Sequence, residues 1–77
     1  MEQRMAIFDV EVTRDGRWLM ITVPGLAGYV APDGSINLSD TTQARYEGEI
    51  DYMARDFIAT VLDVSIEDVR IIRVTIG

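Results

Sequence analysis

Two runs of alternating apolar residues flank an Asp-Gly pair, and this feature restricts the fold more than any other. Phe8, Val10 and Val12 alternate with Ile7, Asp9, Glu11 and Thr13, while Leu19, Ile21 and Val23 alternate with Trp18, Met20 and Thr22. A period of two marks a strand with one buried face. Asp15-Gly16 supplies the positive φ that a two-residue type I′ turn requires. With those two residues as the loop, Arg14 faces Arg17 and Thr13 faces Trp18. The apolar pairs Val12–Leu19, Val10–Ile21 and Phe8–Val23 then share one face. A slip of one residue would scatter them across both faces. Pro24-Gly25 ends the second strand, because Pro lacks an N–H for the ladder and Gly permits a turn.

The rest of the chain has fewer strong signals. Between Leu26 and Asp40, Tyr29-Val30-Ala31 and Ile36-Asn37-Leu38 flank the turn residues Pro32-Asp33-Gly34-Ser35, which reads as a loop or a small extra hairpin. Thr41-Thr42-Gln43-Ala44 is compatible with a third strand. Ile50, Met53, Ala54, Phe57, Ile58, Val61 and Leu62 then recur at spacings of three and four, the stripe of an amphipathic helix. That helix is expected to begin at about residues 45–49 and to end near Leu62 or Asp63. Ser65 reads as the cap of one helical turn, and Val69 to Ile76 as the last strand. The adjacent pair Ile71-Ile72 breaks alternation, which reads as a bulge or as burial on both faces. The expected fold is α+β: a single domain over residues 1–77, in which an antiparallel sheet of three to four strands carries one helix on one face, in the order β-β-β-α-β.

Composition removes several functions. Thirteen Asp and Glu stand against seven Arg, with no Lys, giving a net charge of −6. Such a chain lacks the basic footprint that a phosphate backbone needs, so no direct nucleic-acid partner is expected. Without Cys or His, disulfides, the common zinc sites and Ser-His-Asp or Cys-His catalysis are excluded. The scattered carboxylates fit a solvated acidic face better than a metal-dependent active site. No enzyme, metal or cofactor is expected. Met1 to Met5 lacks the apolar run of a signal peptide, and no stretch approaches a membrane span, so a cytoplasmic location is expected.

A chain of 77 residues buries only about 60% of its unfolded surface, so its core alone is marginal. Self-association or a partner is expected to add buried surface. The hairpin face turned away from the helix carries Ile7, Trp18 and Met20, residue types enriched at interfaces. These three, with the acids Glu11, Glu47 and Asp51, are the candidate partner-binding residues. An acidic surface suits a basic partner through steering and charge complementarity.

The order of motifs resembles a known family. Val12-Thr13-Arg14-Asp15-Gly16-Arg17-Trp18 leads into Val23-Pro24-Gly25-Leu26, and Thr42-Gln43-Ala44-Arg45 follows. Met53-Ala54-Arg55-Asp56-Phe57-Ile58 then continues into Val61-Leu62-Asp63-Val64. This pattern resembles the HicB-like antitoxins, particularly the short single-domain type of actinobacteria and their phages. The resemblance spans about Ile7 to Ile76. It implies a small α+β domain that masks a small basic toxin partner, a nuclease of messenger RNA, within a toxin–antitoxin system. It also implies a homodimer or higher homo-oligomer formed through the sheet. Many members add a DNA-binding segment at the C-terminus. Here the sequence stops at Gly77, directly after the last strand, so no such segment is expected. The alternative expectation is a phage-associated homo-oligomer with a structural or regulatory role and no toxin partner.

Overall fold

The computed structural model describes residues 6–77; the reading of Met1 to Met5 lies outside them. Strands β1 (Ala6–Asp15), β2 (Trp18–Thr22) and β3 (Thr41–Ala44) precede helix α1 (Ile50–Leu62) and strand β4 (Val69–Ile76). Short 3-10 turns at Glu47–Glu49 and Ile66–Asp68 lead into α1 and β4. The four strands form one sheet in the order β3-β2-β1-β4, and α1 packs on one face.

One pairing departs from the antiparallel expectation. β1 pairs antiparallel with β2, and β2 with β3, but β4 runs parallel to β1. The sheet is therefore mixed. The cause is a count of reversals. β3 already runs in the direction of β1, and a single helix carries the chain back across the sheet to start β4 the same way, as a crossover between parallel strands must.

The hairpin register also differs. Val12 lies opposite Ile21, Thr13 opposite Met20 and Arg14 opposite Leu19. The loop is Gly16-Arg17, with Asp15 paired to Trp18 as the last strand residues. Gly16 has φ +63°, at the first loop position, where a type II′ turn requires Gly. The shift is two residues, so every side chain keeps its expected face. Val10, Val12, Leu19, Ile21 and Val23 are all buried beneath the helix.

Ile50, Ala54, Ile58 and Ala59 close the core from the helix side, with Met53, Phe57, Val61 and Leu62 packed around them. Asp63 ends α1 in a left-handed conformation (φ 58°). The Ser65 side chain accepts the Glu67 N–H at 3.3 Å, as its cap role predicts. The bulge falls where the paired isoleucines suggest: Phe8 faces Ile71 and Asp9 faces Arg73, leaving Ile72 as the extra residue.

The segment between β2 and β3 is ordered by its own hydrogen bonds. Val30 and Ile36 form an isolated antiparallel bridge, and Ala31 N–H donates to Ser35 O at 2.8 Å. The Asn37 amide donates to Leu26 O at 2.7 Å and to Ser39 O at 2.6 Å. Leu26 is fully buried and plugs the end of the core. No helix among the described residues is long and apolar enough to cross a membrane.

Candidate protein-binding surface

Helix α1 covers one face of the sheet, and the register assigns the residues of the other. Val10 and Val12 point inward, so Ile7, Asp9, Glu11 and Thr13 point outward. On β2, Leu19 and Ile21 are buried, so Trp18, Met20 and Thr22 share the outward face. Four of the six candidate residues, Ile7, Glu11, Trp18 and Met20, are thus brought to one open face. Glu47 and Asp51 are not; they sit in the helix layer, at the start of α1.

The outward face is amphipathic. Ile7 is 57% exposed, and Met20 is half-buried opposite Thr13. Asp9, Glu11 and Asp15 recur along β1, which sets a row of carboxylates beside the apolar side chains. On the β4 side, Arg73 lies opposite Asp9 and Arg70 opposite Ile7. Toward β2 the neighbours of Glu11 and Thr13 are Thr22 and Met20, so the acids meet no cation there.

Trp18 stands at one end of this face and is 36% exposed. It lines a shallow groove of about 320 Å³ with Gln43, Arg45, Glu49 and Met53. Its ring is thus exposed and borders an open groove between the end of β3 and the start of α1. Glu49 accepts the Arg45 backbone N–H at 2.8 Å and its guanidinium at 2.9 Å. The guanidinium bond is the main reason the Glu49 carboxyl is held below its ordinary range, with the N–H bond adding to it. The same pairing raises Arg45. The groove rim is thus a fixed ion pair rather than a titrating one near neutral pH.

Asp51 forms an exposed ion pair with Arg55 at 3.3 Å. Glu47 lies exposed in the 3-10 turn before α1, where the helix dipole favours an anion. Among the described residues, no group of three metal-ligating side chains converges.

Two exposed apolar groups escaped the sequence reading. Val30, Ile36 and Leu38 project from the loop between β2 and β3, and Leu38 is 87% exposed. Ile72, Val74 and Ile76 lie along β4, all exposed. Their apolar character is visible in the sequence, but their exposure depends on where the helix stops covering the sheet. Comparison with known proteins found no matching family model, curated protein or solved structure.

Proposed function

We propose that this chain is a non-enzymatic protein-binding module of the HicB-like antitoxin type, which masks a small basic protein partner. The observation that carries this reading is the one-sided covering of the sheet. The helix seals one face, and the other offers Ile7, Met20 and Trp18 beside the carboxylates of Asp9, Glu11 and Asp15. Apolar contact supplies affinity at the centre of such a surface, while the acids steer and orient a cationic partner. The module needs no cofactor and acts in the cytoplasm, where a messenger-RNA nuclease would have to be restrained. Glu47 and Asp51 extend the acidic field from the helix layer.

Co-expression with the product of an adjacent short, basic open reading frame tests the reading. A stable complex is expected, weakened by Met20→Glu and by Trp18→Ala. A folded chain that binds no neighbouring product rejects it. A second reading, a phage-associated homo-oligomer of structural or regulatory role, draws support from the uncovered apolar residues of β4.

A further inference from the structure

The two edges of the sheet are built differently. β3 offers four residues, Thr41-Thr42-Gln43-Ala44. Short, polar edges resist pairing with other strands. β4 offers eight residues, and its second half, Val74-Thr75-Ile76, carries neither charge nor Pro. The bulge at Ile72 and both arginines come before it. Ile72, Val74 and Ile76 are 62%, 42% and 61% exposed. Gly77 N–H donates to Val12 O at 2.9 Å. Alternation along the strand then turns the N–H and C=O of Val74 and Ile76 away from β1, toward the open edge.

We propose that two copies of this chain pair antiparallel along β4, about a two-fold axis through Val74, joining their four-stranded sheets into one. The inference rests on the homo-oligomer reading and names its interface. An edge strand pairing with its own copy is self-complementary by symmetry. Residues whose backbone groups point outward must meet others that do the same, which leaves few registers. An axis at Arg73 sets two guanidinium groups directly opposite each other, a destabilising arrangement. An axis at Ile72 opposes Arg70 to Val74 and Arg73 to Ile71. An axis at Thr75 matches Val74 with Ile76. The axis at Val74 opposes Val74 to itself and Ile72 to Ile76, and it sets Arg73 against Thr75. That register matches the most apolar positions while keeping the arginines apart. It leaves the open face of the sheet free.

Val74→Cys tests the axis in a chain that otherwise has no cysteine. Antiparallel residues exchanging both backbone bonds stand about 5.5 Å apart at Cα, inside the roughly 4.4–6.8 Å span of a disulfide. Mild oxidation is expected to convert Val74→Cys mainly to a covalent dimer and to leave Gln43→Cys, on the opposite edge, mainly monomeric. Equal behaviour of the two overturns the proposal. Sedimentation of the parent at high micromolar concentration should show a dimer. Val74→Pro should abolish it with an unchanged circular-dichroism spectrum, since the lost N–H faces the open edge. If that variant unfolds, Val74→Lys replaces it, with the same loss expected from two ammonium groups at the axis. A parent that remains monomeric rejects self-association altogether. A dimer that survives these substitutions and is not trapped by Val74→Cys rejects only the β4 interface.

Discussion

Arg55 reaches from the middle of α1 to the backbone of Val69, donating from Nε to its carbonyl at 3.0 Å. Nη2 of the same guanidinium donates to Ile66 O at 3.1 Å, and Nη1 meets Asp51 Oδ2 at 3.3 Å. One side chain thus pins the 3-10 turn and the start of β4 to the helix. Arg55→Ala leaves two part-buried carbonyls without this donor and is expected to cost about 1–3 kcal/mol. Asp51→Ala removes only an exposed partner and is expected to cost less than about 0.5 kcal/mol. Urea unfolding of the two variants checks the ranking; equal losses would show that the ion pair, not the carbonyl contacts, matters.

The helix stripe ranks its own members. Ile58 is fully buried, whereas Phe57 packs at the margin of the core. Ile58→Ala is expected to cost about 2–5 kcal/mol, the range for emptying a filled aliphatic site. Phe57→Ala is expected to fall below the roughly 3–5 kcal/mol of a wholly buried aromatic ring, because part of its surface already meets water. Thermal denaturation should place Ile58→Ala below Phe57→Ala. The reverse order would mean that the ring is more enclosed than its exposure indicates.

Acid should remove one specific contribution. The Glu49 carboxyl lies below its ordinary value of 4.5, chiefly because the Arg45 guanidinium bonds to it. A carboxyl with a depressed folded-state value contributes stability that is fully present above the unfolded value. That contribution is lost as the pH falls through the folded value. The stability difference between the parent and Glu49→Gln should therefore hold constant above about pH 5 and shrink below the ordinary carboxyl range. Carbon-detected NMR titration should also show the Glu49 midpoint rising in Arg45→Ala. A midpoint that stays put would mean that the ion pair does not persist in solution.

The strands and the helix were legible because burial imposes a period on the sequence. Val10, Val12, Ile21 and Val23 announce one buried face, and Ile50, Ala54 and Ile58 announce another. The hairpin register was not legible for the same reason. A shift of two residues preserves every face, so the apolar pattern accepts Val12 opposite Leu19 as readily as Val12 opposite Ile21. The loop decides between them, and Gly16 is compatible with either the second position of a type I′ turn or the first of a type II′ turn. The direction of β4 lay outside pattern altogether, since it follows from the number of chain reversals before it. Of the candidate surface, Ile7, Glu11, Met20 and Trp18 were assigned to their common face by alternation. The groove that Trp18 shares with Arg45, Glu49 and Met53 was not visible, because those residues are remote in sequence and are brought to it only by the fold.

The end of α1 holds a residue under two local penalties. Asp63 adopts φ 58° and ψ 50°, a left-handed conformation in which a side chain bearing Cβ is disfavoured by about 1–2 kcal/mol, Asp less than most. It also places a carboxylate at the helix C-terminus, where the macrodipole favours a cation, and the last turn carries no basic residue. Asp63→Gly removes both penalties but gives the unfolded chain more freedom, so a net gain of about 0.5–1 kcal/mol is expected. Asp63→Asn removes the charge, tolerates the same backbone and should gain about 0.3–1 kcal/mol. Raising the salt concentration should shrink both gains by a similar amount, because each variant removes the same carboxylate, and should leave the difference between the Gly and Asn variants unchanged, because that difference is set by the backbone. Melting temperatures of the two variants at low and high salt check this. A Gly variant no more stable than the parent would show that the Asp63 carboxylate compensates for its backbone through a contact of its own.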